Sequence, residues 1–312
     1  MTKAALAALA LALIAGSAAA QAGDPPYVVK ERNEGYGSLQ EAVDAIGDGA
    51  GTILIAPGVH RQCAVQQAGR IVYAAAEPGT AIFDGVACDG KATLVLGGRS
   101  AVVEGLVFQN VRVADRNGAG IRLQQGDLSV AETMFRDGEN GILSGEDPKS
   151  TVRVDRSTFS GLGACDDGYG CAHSLYIGGY GRLTVTRSRF ERGTGGHYVK
   201  SRTPRVDITD SSFDDSQGRA TNYMIDLSNG ATGTIARNTF VQGEDKENYS
   251  ALIMVAAEGQ DNRSTGLTIA ANDASIAPGV DRKTSFVADK SGDEIRIEDN
   301  KLGSGIARYE KR

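Results

Sequence analysis

Four residues with side chains suited to ion pairing or proton transfer recur in one local context. Arg122, Tyr176, Lys200 and Asp226 each follow an aliphatic residue within a short apolar segment. Because side chains alternate along a strand, these four are expected to face outward while their aliphatic neighbours face the core. Segments stacked about 4.8 Å apart would bring Tyr176, Lys200 and Asp226 within mutual reach. We call the column that holds these four residues the outward file.

More polar side chains are expected to border Lys200 in the outward file. Arg202 and Tyr198 lie two residues after and before Lys200, which places them on the same face of an ideal strand. His173 and His197 each precede a file residue by three positions, and Tyr223 has the equivalent place in the next repeat. The parity of this position predicts that the histidines face inward or lie in a turn at the edge of the file.

The neighbourhood of the file contains aromatic residues and a short cysteine-closed loop. Tyr180 and Tyr169 belong to this region, and Tyr169 lies in the loop CDDGYGC between Cys165 and Cys171. Flat aromatic surfaces beside cations suit a sugar-binding groove, because pyranose rings stack on the former and carboxylates bind the latter. The segment 165–228 is therefore the predicted site.

The register of the file rests on a phenylalanine that returns every 23 to 31 residues. It occurs at Phe108, Phe135, Phe159, Phe190, Phe213 and Phe240, and Ala274 and Leu302 continue the series. A period in the twenties with one apolar residue at a fixed place is typical of a solenoid, in which equivalent residues stack.

Each repeat contains at least two short β segments separated by Gly, Asn and Asp turns, which predicts an all-β parallel β-helix. A helix over 38–46, with Ser38 as its N-cap, is expected to cover the first coil. We expect coils over about 52–302 and a frayed tail over 303–312. A β-propeller is the alternative, but its blades need about 40 residues each.

The N-terminus and the cysteines both indicate export. Residues 1–22 read as a signal peptide, with Lys3, an apolar run and a small-x-small cleavage site, so that one domain spans 23–312. No later segment is long and apolar enough to span a membrane. Four cysteines in an exported chain predict disulfides; Cys63–Cys88 and Cys165–Cys171 are the most local of three pairings, with free buried thiols as the alternative. The predicted location is periplasmic or extracellular.

The chain resembles the right-handed parallel β-helix proteins of the pectate-lyase-like (pectin lyase-like) superfamily. The likeness covers about residues 30–302 and rests on the capping helix, the opening strand GTILIAPGVH and the repeated T-x-S/N-x-F turns. It implies a single-stranded right-handed β-helix. It does not fix the activity, since that superfamily contains lyases, glycoside hydrolases, epimerases, phage tail fibres and adhesins.

The chemistry that best fits these side chains is β-elimination on a uronate-containing polysaccharide. This reaction needs a cation for the carboxylate, a base for the adjacent ring proton and an acid for the leaving oxygen. We assign the base to Lys200, held partly neutral by Arg202 and the two histidines. Arg202 or Arg122 would bind the carboxylate, and Tyr176 or Tyr198 would act as the acid. The pattern is similar to that of the metal-free lysine/arginine lyases of the superfamily.

The remaining assignments concern metals, partners and alternative functions. No metal or other cofactor is expected; calcium stays an alternative, although Asp226 is the single carboxylate of the file and Asp166 and Asp167 would have to join through the loop. The predicted partner is an acidic polysaccharide; a net charge of −6 shows no nucleic-acid footprint. A non-catalytic glycan-binding or envelope scaffold is one alternative, and a glycoside hydrolase or uronate epimerase is another. The file is also explicable as a purely structural charge ladder.

Overall fold

The computed structural model of the chain describes residues 24–165 and 170–312, which coil into three long sheets that run the length of the molecule. The predicted signal peptide, residue 23 and the loop residues 166–169 lie outside the described part. Each turn of the coil contributes one strand to each sheet in the order first, second, third. The all-β parallel β-helix predicted from the repeats is therefore confirmed.

The strands of the first sheet, in spatial order, are Glu34–Tyr36, Tyr27–Val29, Ala50–Ile55, Arg70–Ala75, Ser100–Glu104, Asp127–Ala131, Asp147–Asp155, Tyr180–Thr186, Arg205–Thr209, Thr232–Ala236, Thr268–Ala270 and Arg296–Glu298. The second sheet consists of Gly58–His60, Ala81–Asp84, Leu106–Gln109, Met134–Arg136, Thr158–Ser160, Arg189–Glu191, Ser212–Asp214, Thr239–Gln242, Asp273–Ile276 and Lys301–Leu302. The third sheet consists of Ala64–Gln66, Ala92–Leu96, Ala119–Leu123, Asn140–Ser144, Leu175–Ile177, Val199–Ser201, Ile225–Leu227, Ala251–Val255, Thr284–Asp289 and Ile306–Lys311.

The phenylalanine series forms a continuous stack inside the second sheet. Phe83 joins it at one end, and the rings from there to Phe240 lie 4.7–5.6 Å apart, centroid to centroid, and within 16° of parallel. Ala274 pairs with Phe240 and Leu302 with Ala274, as the spacing predicted. The stack fixes the register of all coils, because a slip by one residue would turn every phenylalanine outward.

From Phe135 to Phe240, the polar residue two positions before each phenylalanine forms a second ladder, in the turn between the first and second sheets. Ser188 accepts a hydrogen bond from the backbone N–H of Ser157, and Ser211 accepts one from Ser188. The amide oxygen of Asn238 accepts from Ser211 in the same way. These side chains satisfy turn donors that would otherwise be buried without partners, which explains the T-x-S/N-x-F repeat.

A short element stands at each end of the coil. The helix Leu39–Ile46 begins at the N-cap Ser38, which forms a capping box with Glu41, and buries its apolar face against the first coil, as predicted. The expected fraying of residues 303–312 is wrong: Ile306–Lys311 pairs with Thr284–Asp289 as the last strand of the third sheet. The hydrogen bonds of its backbone to the neighbouring strand stabilise it, although its sequence has few apolar residues to bury.

The cysteines pair as the two most local bridges, Cys63–Cys88 and Cys165–Cys171, and no free cysteine occurs in the described chain. The first bridge joins successive coils, and the second closes the loop that leads into the third sheet. The one helix of the described residues, eight residues long, is too short to cross a membrane.

Candidate functional site

The outward file lies on the third sheet, where its central members stand on successive strands. Tyr176 pairs with Lys200, and Lys200 pairs with Asp226. Their neighbours Leu175, Val199 and Ile225 are buried in the core, as the alternation predicted. The charged members of the file are nevertheless buried, since residue Lys200 as a whole is only 6% exposed and Asp226 only 1%.

One register prediction needs correction. Arg122 pairs with Leu143, and Leu143 pairs with Tyr176, so a whole strand separates Arg122 from the rest of the file. The segment NGILS carries an apolar residue at the position of the file, so the pattern of polar residues did not predict this strand. Arg122 stands about 10 Å from Tyr176 along the stack, measured between backbones.

Lys200 is enclosed by two carboxylates. Its ammonium group lies 3.2 Å from Asp226 Oδ2 and contacts Glu258. The other oxygen of Glu258 accepts a hydrogen bond from Arg202. Glu258 therefore bridges the two cations, and it is the most exposed member of the group.

Arg202 and Lys200 also converge on Tyr176. Arg202 Nε donates to the hydroxyl oxygen of Tyr176 at 2.8 Å. Lys200 Nζ lies 5.6 Å and the guanidinium carbon of Arg202 5.9 Å from the centre of the same ring. Cations at such distances are attracted to the ring. The hydroxyl accepts from a guanidinium and keeps its own hydrogen available for another partner.

The two predicted histidines stack along the edge of the file. The rings of His173 and His197 are 4.9 Å apart, and Tyr223 continues the column 5.5 Å beyond His197. The edge of His173 meets Tyr176, and His197 Nε2 lies 3.5 Å from Asp226 Oδ2. The turn position expected from the spacing is confirmed.

Burial gives these groups unusual protonation. It lowers the pKa of His197 to about 3, helped by the charge of Lys200, and it holds the pKa of His173 well below its usual range. His197 is therefore neutral at pH 7, and its contact with Asp226 is not an ion pair. Burial raises the pKa of Asp226. Burial also acts to raise the pKa of Glu258, but the hydrogen bonds and charges of Lys200 and Arg202 outweigh it and lower that pKa.

Two buried polar atoms of the site have no partner within the described part of the chain. They are Nδ1 of His197 and Oδ1 of Asp226. Buried polar atoms are normally hydrogen-bonded, so two such exceptions on neighbouring side chains mark a place where a ligand or water belongs.

Acidification from pH 7 to pH 5 is expected to destabilise the fold through His197. The unfolded side chain has a pKa of about 6.5, while the folded one has a pKa of about 3. The unfolded state therefore binds a proton that the folded state does not, and stability falls as the pH drops below about 6.5. The loss over this interval is about 2 kcal/mol for one such histidine.

The variant His197→Gln isolates that contribution. Its free energy of unfolding, from denaturant titrations at pH 7 and pH 5, should fall by about 2 kcal/mol less than that of the wild type. Asp226 is present in both proteins, so its own titration largely cancels. Equal losses in the two proteins would show that His197 titrates normally in the folded state.

Two of the three further tyrosines predicted to contact a ligand lie elsewhere, and the third is not described. Tyr198 is 1% exposed and donates its hydroxyl hydrogen to the buried Asp215, because the chain is still in the turn at this residue and alternation does not yet apply. Tyr180 begins a strand of the first sheet and points into the core. Tyr169 lies outside the described residues.

The sequence offered no signal for Glu258. It lies in the loop after the strand Ala251–Val255, outside any strand register, and its backbone N–H bonds to the carbonyl of Ser228 to bring it over Lys200. Within residues 24–165 and 170–312, no three His, Cys, Asp or Glu side chains come together as a metal-binding group.

Residues 94–305, more than half of the chain, match the family model described as "Right handed beta helix region". The chain belongs to this right-handed β-helix family. The family and the three parallel sheets agree with the resemblance to the pectate-lyase-like proteins in fold.

Solved structures extend this fold comparison of the right-handed β-helix protein. It is similar to ORF18 of Geobacillus virus E2, with a TM-score of 0.56 and 12% identity over 87% of this chain and 56% of that chain. It thus spans little more than half the length of the phage protein, and a likeness at this identity concerns the fold alone. Streptococcus pneumoniae surface protein and adhesin PfbA is also similar, with a TM-score of 0.31 and 10% identity over 88% of this chain and 94% of that chain. No curated protein matches the chain.

Proposed function

We propose that this right-handed β-helix protein binds an acidic polysaccharide along the outward file and cleaves it by β-elimination. The observation that carries the proposal is the carboxylate of Glu258, which one lysine and one arginine hold together beside a tyrosine. A uronate carboxylate has the same charge and geometry, and we infer that it takes the place of Glu258.

The exposure of the three side chains favours such an exchange. The side chain of Glu258 is 43% exposed on a loop, whereas the side chains of Lys200 and Arg202 are 8% and 28% exposed. The carboxylate of Glu258 is thus the member of the group that an incoming ligand reaches most directly from solvent. An incoming carboxylate would regain the charge-assisted hydrogen bonds of Arg202, so that little is lost when Glu258 leaves.

The reaction then needs proton transfer next to the bound carboxylate. In β-elimination the proton at C5 is removed, the bond from C4 to the glycosidic oxygen breaks, a C4–C5 double bond forms and the leaving oxygen gains a proton. Neutralisation of the carboxylate by Lys200 and Arg202 acidifies the C5 proton. Tyr176 is the group best placed to transfer protons, because its hydroxyl oxygen accepts a hydrogen bond from Arg202 and its own hydrogen remains free to be donated.

The contacts of Lys200 refine its assigned role. The ammonium group already contacts two carboxylates of the protein, so we assign it to neutralisation of a substrate carboxylate rather than to removal of a proton. The neutral ring of His173 is in T-shaped contact with Tyr176, and its Nδ1 accepts a hydrogen bond from the backbone N–H of His197, so its other ring nitrogen carries the hydrogen and acts as a donor.

Hydrolysis fits the same residues less well. Asp226 and Glu258 form a carboxylate pair, which a glycoside hydrolase requires. The ammonium of Lys200 lies between them, however, where the glycosidic bond would have to be. The pair therefore holds a cation rather than a substrate.

A non-catalytic glycan-binding protein is the second candidate. It is favoured by the fact that Lys200 already has its charge balanced within the protein, as in a stabilising ladder. A binder needs the cations and the aromatic ring but no proton transfer, so it would bind uronate polymers and release no product.

We also propose that the protein acts outside the cytoplasm. The signal-like residues 1–22 and the two formed disulfides support export, since disulfides persist in oxidising compartments.

Incubation of the protein with a panel of uronate polysaccharides tests the proposal. We expect an increase in ultraviolet absorbance from the C4–C5 double bond, together with new chain ends, for at least one polymer. New reducing ends without the absorbance would identify a hydrolase. Saturable binding with neither product would identify the binder, and the absence of both binding and product would refute a glycan site on the outward file.

A further inference from the structure

A second charged feature lies away from the outward file, on the turns that follow the second sheet. A cleft of about 410 Å³ is lined by Arg112, Arg192, Arg219, Asp137, Gly161, Thr194 and Gln217. Three guanidinium groups thus face a single carboxylate. The protein as a whole is acidic, with a net charge of −6. The cleft, by contrast, carries an excess of positive charge.

The arginines of this cleft lack the partners that other arginines of the molecule have. Arg182, Arg187 and Arg237 each form an ion pair with an aspartate. Among the described residues, the side chains of Arg192 and Arg219 make neither an ion pair nor a hydrogen bond. Arg112 reaches only the backbone carbonyl of Asp137, at 3.4 Å. Unpaired guanidinium groups that converge on one cavity have their full bonding capacity free for an anion.

The cleft is elongated along the coil. Its lining residues follow the second-sheet strands of five successive turns, from Leu106–Gln109 to Ser212–Asp214. Neighbouring strands are about 4.8 Å apart, so the cleft extends over about 19 Å. A ligand that meets all three arginines must therefore be a chain with repeated negative charges rather than a single small ion.

We propose that this arginine cleft binds a second stretch of anionic polysaccharide, through carboxylate or sulfate groups spaced along the sugar chain. A nucleic acid fits less well, because none of the described residues that line the cleft is aromatic and could stack against bases, and the net charge of the protein is −6. The proposal does not depend on catalysis at the outward file, and it adds a binding site that a non-catalytic β-helix would also use.

The position of the cleft relates it to the outward file. Arg192 and Thr194 belong to the turn that leads to His197, and Arg219 belongs to the turn that leads to Tyr223. A glycan in the cleft would run beside the file on the same coils. The protein would then bind acidic polysaccharide at two parallel sites, the arginine cleft and the outward file.

Binding titrations with three probes test this inference: a heparin oligosaccharide, an oligogalacturonate and a single-stranded DNA of similar length. The double variant Arg192→Ala/Arg219→Ala is expected to weaken the affinity for the better glycan by about tenfold or more, since each lost charge-assisted bond has a substantial effect. The matched control is Arg153→Ala/Arg296→Ala, which removes the same charge from two exposed arginines of the first sheet. It should change the affinity by less than about twofold.

Arg202→Ala separates the cleft from the outward file, because it removes a file cation and leaves the cleft intact. Glycan binding that is weakened in this variant but is lost only when Arg192→Ala/Arg219→Ala is added supports a cleft that works on its own, even if no polymer is cleaved. Preference for heparin or for oligogalacturonate identifies sulfate or carboxylate as the bound group. Equal losses in the two double variants, loss of binding in Arg202→Ala alone, no binding of either glycan, or tighter binding of the DNA would each overturn the proposal.

Discussion

Replacement of Tyr176 by phenylalanine is expected to lower the turnover of a uronate polysaccharide by about 10²–10⁴-fold, the usual contribution of a general acid or base. The variant keeps the ring that lies beneath both cations, so substrate binding should change little. It removes only the oxygen that accepts a hydrogen bond from Arg202. The initial rate of ultraviolet absorbance increase, measured over a range of substrate concentrations, separates kcat from KM.

Tyr249→Phe is the matched control, because Tyr249 is half-exposed and lies outside the file. It should leave both kinetic parameters unchanged. If Tyr176→Phe retained full kcat, Tyr176 would not transfer a proton, and the role would pass to the histidine column beside it.

The largest change in stability is expected at a buried ion pair away from the file. Lys246 Nζ lies 3.1 Å from Asp215 Oδ2, and both side chains are completely buried. Tyr198 and Thr221 donate hydrogen bonds to the other oxygen of Asp215. Lys246→Met would leave the carboxylate buried with neutral donors only, and the free energy of unfolding should fall by about 3–5 kcal/mol.

Two further proteins identify the cause of this loss. The double variant Lys246→Met/Asp215→Asn removes the isolated charge and should recover most of the stability. Lys301→Met breaks an exposed pair with Asp273 and should cost less than about 1 kcal/mol. A loss below about 1 kcal/mol for Lys246→Met itself would show that the carboxylate is solvated or protonated in the folded state.

The repeats predicted the architecture because every coil needs an apolar residue in the core and a polar residue in the turn at the same positions. Phenylalanines two residues after a serine or asparagine satisfy both the core and the turn, and the stacked rings with their polar ladder confirm that combination. The last strand, Ile306–Lys311, escaped prediction because pairing with Thr284–Asp289 stabilises it rather than an apolar pattern of its own.

The site was predictable only where strand register applies. Tyr176, Lys200 and Asp226 stand on successive strands, and their contact followed from counting residues. Tyr198 departs from the alternation because the chain is still turning there, and Asp215 attracts its hydroxyl group. Glu258 reaches the file from a loop, whose path depends on tertiary contacts that no periodicity encodes.

The affinity of an oligogalacturonate for the variant Glu258→Gln tests the central claim most directly. Glutamine keeps the size of the side chain but removes the charge that holds it between Lys200 and Arg202. If a substrate carboxylate takes this place, Glu258→Gln should bind the oligosaccharide about tenfold more tightly than the wild type, while Arg202→Ala should bind it about tenfold more weakly. Unchanged affinity in both variants would contradict the exchange of carboxylates and leave the file as a structural ladder.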